Sequence, residues 1–165
     1  YDLADVVRKV VEARRPFFEQ RGTRLIALVA SAAPSTGDAE RIARAIVHLL
    51  DNALKFTPAG GTVAIELRVS AGSAELIVND SGPGVRAELL SRIFDPFVQG
   101  DGSTTRQHGG AGVGLAIVRR VAEAHGGRST AEAGGRELIA GQRLAGLLVR
   151  FQVARAPRPP THMVP

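Results

Sequence analysis

Two glycine-rich segments restrict the folds that this chain of 165 residues can adopt. Residues 80–84 read Asp-Ser-Gly-Pro-Gly and directly follow a predicted hydrophobic strand, whereas residues 109–115 read Gly-Gly-Ala-Gly-Val-Gly-Leu and lead into a predicted helix. Glycines let the backbone approach a bound group closely, and free N–H groups at the start of a helix bind anions. Together with residues 52–58, Asn-Ala-Leu-Lys-Phe-Thr-Pro, these segments carry most of the functional information in the sequence.

Apolar residues recur at helical or alternating spacing along most of the chain. Helices are predicted over residues 2–20, 38–55, 87–93 and 113–124, and strands over residues 24–29, 62–69, 74–78, 128–133 and 146–154. Pro16 is expected to end or kink the first helix, and Asp38 is placed to cap the second. This order predicts an α/β two-layer sandwich, in which a mixed, mostly antiparallel sheet carries helices on one face.

Composition narrows the possible functions. The chain has no cysteine, so a disulfide scaffold, a thiolate metal site and a cysteine nucleophile are excluded. No apolar run approaches the roughly 20 residues that span a bilayer, and the chain opens inside an amphipathic pattern without an initiator Met. We therefore interpret it as a cytoplasmic piece of a longer protein, whose parent is free to be membrane-anchored. The net charge is +5, but the arginines are scattered and no aromatic platform accompanies them, which disfavours nucleic-acid binding.

The helix that ends in the segment 52–58 carries polar residues beside its apolar face. His48, Asn52 and Lys55 follow one another at helical spacing, next to a core-facing stripe. The Asn52 carboxamide oxygen suits Mg²⁺, which prefers oxygen ligands, and Lys55 offers a point charge to phosphate. Taken alone, the same residues fit an ordinary solvated helix surface better.

The two glycine segments also have two interpretations each. Asp80 at a strand end suits recognition of an exocyclic amine, although Asp-Ser-Gly is equally common in turns. Gly110, Gly112 and Gly114 suit phosphate, because they precede a helix start. The second segment is not a Walker A loop, since Gly-Lys-Ser/Thr is missing, and no strand leads into it as a Rossmann fingerprint requires.

The residues taken together resolve these alternatives. In order, residues 52–58, 80–84, 92–97 (Arg-Ile-Phe-Asp-Pro-Phe) and 109–115 resemble the N, G1, F and G2 boxes of the ATP-binding domain of bacterial sensor histidine kinases. The resemblance covers about residues 1–155 and implies the Bergerat ATP-binding fold. We expect residues 156–165 to form a Pro-rich tail or linker.

The resemblance implies a role for each box. Asn52 and Lys55 would be the catalytic residues, with Asn52 as the Mg²⁺ ligand, and Asp80 would recognise adenine. Phe94 and Phe97 would anchor a lid over residues 99–108, from which Arg106 would reach the triphosphate. The complete implied ATP-binding set is Asn52, Lys55, Phe56, Asp80, Gly82, Gly84, Phe94, Phe97, Arg106, Gly110, Gly112, Val113, Gly114 and Leu115.

The implied activity is transfer of the ATP γ-phosphoryl group to a His on a separate dimerisation domain, with a response regulator downstream. The phosphoacceptor His would lie on that helical domain, since none of the four histidines here fits a phosphoacceptor pattern. Dimerisation is expected only through the same domain. His48, Gln99 and Ala111 depart from the family pattern, and residues 134–146 form an unusually long connection. These departures leave open a nucleotide-binding regulatory module without phosphotransfer. A related topoisomerase- or chaperone-type ATPase is disfavoured, because position 48 lacks the expected Glu.

Overall fold

A computed structural model describes residues 1–96 and 114–156 of the chain. The helices in these residues are α1 (Leu3–Gln20), α2 (Ala39–Phe56), α3 (Ala87–Leu90) and α4 (Gly114–Ala124). The strands are β1 (Arg24–Val29), β2 (Thr62–Val69), β3 (Ser73–Asp80), β4 (Arg128–Ala133) and β5 (Leu147–Ala154). No helix in the described part of the chain is long and apolar enough to cross a membrane.

The strands form one sheet in the order β1-β2-β3-β5-β4. Strands β1 and β2 are parallel, and the other three pairings are antiparallel. Strand β3 therefore lies at the centre, paired through Val63 of β2 with Asp80 and through Leu148 of β5 with Asn79. The predicted mixed, mostly antiparallel sheet is confirmed. Strand β3 continues two residues beyond its predicted end at Val78, up to the first glycine segment.

Aspartates cap the two long helices, as predicted for the second. The Asp2 carboxylate accepts hydrogen bonds from the backbone N–H groups of Ala4 at 2.8 Å and Ala33 at 2.9 Å. The Asp38 carboxylate accepts from the Arg41 N–H at 3.1 Å, and the Asp38 N–H donates to His125 Nε2 at 2.9 Å. The latter bond ties the start of α2 to the residue that follows α4 and so helps to set the position of α2.

Helix α1 continues through Pro16 to Gln20. A proline inside a helix removes one backbone hydrogen bond, but here the apolar face of α1 is buried on both sides of it. Val11 and Phe18 are 3% and 1% exposed, respectively. Their burial contributes stability that offsets the cost of the proline, which is why the helix does not end there.

The main core lies between the sheet and the helices. Alternate residues of β3, including Leu76 and Val78, face this side together with Phe151 of β5. The predicted core stripe of α2 packs against them and consists of Ile42, Ile46, Leu49 and Ala53, each at most 3% exposed. The helices thus cover one face of the sheet, as the sequence predicts.

Residues 134–146, whose path the sequence leaves uncertain, cover part of the opposite face. Ile139 is fully buried there against Ala64, Ile77 and Leu148, and these four residues form a second, smaller apolar cluster. The segment turns back on itself through a reciprocal pair of backbone hydrogen bonds between Ile139 and Gln142, both 2.9 Å long. It is therefore an ordered hairpin turn packed on the sheet.

This turn contains Ala140, which is the one non-glycine residue with a positive φ in the described part of the chain. Its φ is 48° and that of Gly141 is 76°. Two positive φ values at the centre of a two-residue hairpin are the pattern of a type I′ turn, which favours Asn, Asp or Gly. Alanine in the left-handed region costs about 1–2 kcal/mol.

We therefore expect Ala140→Gly to raise the free energy of unfolding by about 0.5 kcal/mol, since relief of strain exceeds the added entropy of the unfolded chain. Ala145→Gly is the matched control, because Ala145 is exposed in the same segment and has no positive φ. It should destabilise by about 0.5–1 kcal/mol. Urea unfolding measures both, and a loss of stability in Ala140→Gly would contradict the strain assignment.

Candidate functional site

Asp80, the last residue of β3, lies on the helix-facing side of the sheet and is only 4% exposed. Its Oδ1 accepts hydrogen bonds from the backbone N–H of Gly82 at 2.9 Å and of Leu147 at 3.3 Å. Within the described residues, no hydrogen bond reaches the second carboxylate oxygen, Oδ2. The backbone thus fixes the carboxylate through one oxygen and leaves the other as an acceptor.

Burial raises the pKa of the Asp80 carboxyl to about 6, because a charged group is poorly solvated in an apolar surrounding. The two backbone hydrogen bonds act in the opposite direction, since they favour the ionised form. No charged side chain of the described residues contributes to this shift. The site therefore holds a carboxylate whose charge is not neutralised by any side chain of the described residues.

The loop after Asp80 lies directly against the end of α2. A Cβ atom at Gly82 would stand 2.5 Å from the Phe56 carbonyl oxygen and 3.0 Å from Asp80 Oδ1. Because the obstacle at Phe56 is backbone, no side-chain movement makes room for it. Glycine at position 82 is thus required for the first glycine segment to meet the segment that carries Asn52, Lys55 and Phe56.

Gly146, which sequence reasoning missed, closes the other side of Asp80. Its N–H donates to the Asp80 carbonyl oxygen at 2.9 Å, and a Cβ there would overlap the Asp80 carboxylate. Gly84 has a φ of 78°, and a Cβ there would stand 4.0 Å from the backbone of Ala145 and Gly146. Gly146 is the first residue of the predicted strand over residues 146–154, and a glycine at the start of an apolar strand is the signal that would have found this position.

The polar stripe of α2 lies where the sequence predicts it. His48, Asn52 and Lys55 are each half-buried, beside the fully buried core stripe. The Lys55 ammonium stands 5.7 Å from the centre of the Phe56 ring. The Asn52 side chain makes no hydrogen bond to another residue of 1–96 or 114–156, so no described residue occupies its carboxamide.

Helix α4 begins against this stripe. A Cβ at Gly114 would stand 3.5 Å from His48 Nδ1, so the imidazole packs on the first residue of α4. Leu115 and Phe94 are both 8% exposed and belong to the main core. The structure therefore brings Gly114 to α2 and places Leu115 and Phe94 in packing positions. The remaining implied residues lie outside the described part of the chain: Phe97, Arg106, Gly110, Gly112 and Val113.

Comparison with known proteins identifies the domain. The family model described as histidine kinase-, DNA gyrase B- and HSP90-like ATPase matches residues 37–153. This range includes α2, strands β2 to β4, the glycine loop after β3, and β5 except its last residue. The chain belongs to this family. Among its members it is a histidine-kinase catalytic domain, which binds ATP.

Relatives support this assignment. The signal transduction histidine-protein kinase BaeS of Escherichia coli is 34% identical over 77% of this chain, and the sensor histidine kinase CusS of the same organism is 36% identical over 76%. The chain spans about a quarter of their length, 27% of BaeS and 26% of CusS. The mycobacterial sensor histidine kinase MprB has a similar structure, with a TM-score of 0.78, 26% identity and coverage of 96% of this chain and 99% of that one.

The raised pKa of Asp80 predicts a specific dependence of stability on pH. The folded chain binds this proton more tightly than the unfolded chain does, so the free energy of unfolding falls as pH rises from about 4 to about 6. Above pH 6 the whole cost is present, and it amounts to about 3 kcal/mol for a pKa raised from 3.8 to about 6. Asp80→Asn removes this titration.

We therefore expect Asp80→Asn to be more stable than the original chain by about 1–3 kcal/mol at pH 7, with the difference vanishing towards pH 4. Urea unfolding of both proteins between pH 4 and pH 7 gives this difference directly. Taking the difference cancels the titration of other carboxyls, such as Glu66. An equal difference at all pH values would mean that Asp80 is ionised normally.

Proposed function

We propose that this domain binds ATP through a hydrogen bond from the adenine amino group to Asp80. We further propose that it transfers the γ-phosphoryl group to a histidine on a separate domain. The observation that carries the proposal is the geometry of the buried Asp80 carboxylate. Its Oδ1 is occupied by two backbone N–H groups, so only Oδ2 remains for a ligand. A ligand group that donates a hydrogen bond fits this oxygen, and the exocyclic amine of adenine is such a donor.

The same geometry excludes bases that present an acceptor at that position. A 6-oxopurine, such as guanine or hypoxanthine, would place a carbonyl oxygen beside the carboxylate. Two acceptors facing each other in a buried site leave both groups without a partner, which costs free energy. Selection between amine and carbonyl is the kind of discrimination that such a site achieves well.

The phosphate end would lie along α2 and the second glycine segment. Lys55 would contact phosphate, and Gly110, Gly112 and Gly114 would let phosphate approach the start of α4. Within the described residues, no cluster of His, Asp or Glu could enclose a metal ion. The carboxamide of Asn52 instead fits Mg²⁺, which is usually held by one or two protein oxygens together with substrate phosphates. When bound, the ion would neutralise phosphate charge.

The phosphoryl transfer itself needs little covalent chemistry from this domain. The bond between the γ-phosphorus and its bridging oxygen breaks, a bond from phosphorus to an imidazole nitrogen forms, and ADP leaves. The chain would contribute positioning by Asp80 and charge stabilisation by Lys55. The structure of the related ShkA, 30% identical over 96% of this chain, was determined in complex with AMPPNP, which supports a nucleotide in this type of site.

The variant Asp80→Asn tests whether the Asp80 carboxylate recognises adenine. The carboxamide oxygen must take the place of Oδ1 to satisfy Gly82 and Leu147, so its NH₂ group replaces the acceptor Oδ2. We expect the variant to bind Mg-ADP at least about tenfold more weakly and to narrow or reverse the preference for ADP over IDP. Calorimetric titration with Mg-ADP and with Mg-IDP measures both affinities and therefore the preference. The control Asp5→Asn, at an exposed position of α1, should behave like the original chain.

Phosphotransfer has its own test. ATP labelled at the γ-phosphate is incubated with the chain and a cognate His-containing dimerisation domain, and acid-labile label should appear on the second protein. Asn52→Ala should lower the rate at least about 100-fold, because the variant would no longer hold the Mg²⁺ ion that neutralises charge on the phosphates. Tight ADP binding without any transfer would favour a regulatory module instead. Release of inorganic phosphate by the isolated chain would favour an ATPase.

A further inference from the structure

Residues 134–146, called the brace below, connect β4 to β5. Their C-terminal end lies next to the Asp80 carboxylate. The Gly146 N–H donates to the Asp80 carbonyl oxygen at 2.9 Å, and the next residue, Leu147, donates to Asp80 Oδ1 at 3.3 Å. The Gly134 N–H donates to the Gly146 carbonyl oxygen at 2.7 Å, which closes the segment at its base. Any movement of the brace therefore reaches the backbone that holds Asp80.

The middle of the brace is anchored on the open face of the sheet, away from the helices. The Ile139 side chain is fully buried against Ala64, Ile77 and Leu148. Its neighbour Leu138 is 52% exposed. Ile139 is thus the fully buried apolar anchor of the brace, and Ala140 and Leu144 pack against the same cluster while partly buried. The adjacent Leu138 contributes little to packing.

Ion pairs hold the brace beside this anchor. The Glu137 carboxylate pairs with Arg68 of β2 at 3.0 Å and also with Arg150 of β5. The Arg68 guanidinium donates a further hydrogen bond to the Leu138 carbonyl oxygen at 3.0 Å. Because one carboxylate is shared by two strands of the sheet, the brace is tied to the sheet on both sides of the anchor.

A backbone contact completes the attachment. The Ala140 N–H donates to a Glu66 carboxylate oxygen at 2.7 Å. Burial would raise the pKa of Glu66, but hydrogen bonds from Arg68 and Ala140 outweigh it and hold that pKa below its usual range. Glu66 is therefore ionised at neutral pH, and the charge-assisted bond to the brace persists there.

We propose that the brace is a positioning device for nucleotide binding, in which Ile139 and Glu137 on the open face of the sheet keep the Leu147 N–H aimed at Asp80 on the other face. This inference rests on the proposed nucleotide role of Asp80. The Leu147 N–H bond stabilises the carboxylate form that accepts the ligand's amine. Loosening the brace weakens that bond, so the carboxylate is both less well oriented and harder to ionise.

A purely structural brace and a positioning brace differ in one measurable property. Either kind lowers stability when it is loosened. Only the positioning brace changes the pH dependence of nucleotide affinity, because loss of the Leu147 hydrogen bond raises the pKa of Asp80 further. The midpoint at which ADP affinity falls with decreasing pH then moves to higher pH.

The first experiment compares Ile139→Ala with Leu138→Ala, two truncations at neighbouring positions of the brace. Calorimetric titration with Mg-ADP from pH 5 to pH 8 should show about tenfold weaker binding for Ile139→Ala at pH 7 and a midpoint at least about 0.5 pH unit higher. Leu138→Ala should stay within about twofold of the original chain. Circular dichroism confirms that each protein is folded at the temperature used.

The second experiment uses substitutions that remove a charge without creating a cavity in the core. Glu137→Gln is compared with Glu132→Gln, because both carboxylates pair with Arg150 but Glu132 belongs to β4 and not to the brace. Glu137→Gln should shift the ADP midpoint in the same direction and speed hydrogen exchange at the Leu147 amide. Glu132→Gln should change neither. This pair decides the question if Ile139→Ala does not fold.

The outcomes separate this inference from the function on which it rests. If Asp80→Asn binds ADP as tightly as the original chain, the adenine role of Asp80 is wrong. If Asp80→Asn loses ADP but Ile139→Ala and Glu137→Gln keep the original affinity and midpoint, the adenine role stands and the positioning role of the brace is overturned. Shifts in both brace variants without shifts in their controls establish it.

Discussion

A carboxylate buried at the end of the central strand is the constraint around which this domain is arranged. Asp80 is almost wholly withdrawn from solvent, and no charged side chain of the described residues compensates it. Two backbone N–H groups, from the loop after β3 and from the start of β5, keep its ionisation within reach of neutral pH. The glycines at positions 82 and 146 follow from this arrangement, because a Cβ at either would collide with Asp80 or with α2. The buried carboxylate therefore carries a cost in stability at neutral pH, which the proposed role in nucleotide binding would explain.

The two faces of the sheet are covered by different parts of the chain. One face packs against α1, α2 and α4 and carries Asp80 at its edge. The other face bears the brace, which is held by apolar packing centred on Ile139 and by carboxylate–guanidinium pairs. Since β3 and β5 belong to both faces, the proposed positioning role of the brace would reach the site through the backbone hydrogen bonds of Gly146 and Leu147 to Asp80. A packed sheet is stiff enough to make such transmission effective.

Much of the fold could be predicted from local pattern. The bounds of β1 and β2 and the cap at Asp38 agree with the sequence, because apolar periodicity and cap chemistry are local signals. Strand β3 was predicted too short, since Asn79 and Asp80 are polar and favour turns. In the fold both are buried, and the Asn79 amide donates to the Leu147 carbonyl oxygen at 3.0 Å. That partner lies on a distant strand, which no local pattern reveals.

The sequence by itself determined the class of fold and the family, because ordered glycine segments and a polar stripe beside an apolar one need no tertiary information to be recognised. It also indicated Asp80 as the group that reads the base, a role that stays a prediction. Only the tertiary structure decided which oxygen of Asp80 is left for a ligand and that Gly146 and Leu147 hold the other side. It alone showed that residues 134–146 fold onto the open face. These features depend on pairing between β3 and β5, and contacts between segments so far apart in the chain exist only once the sheet has formed.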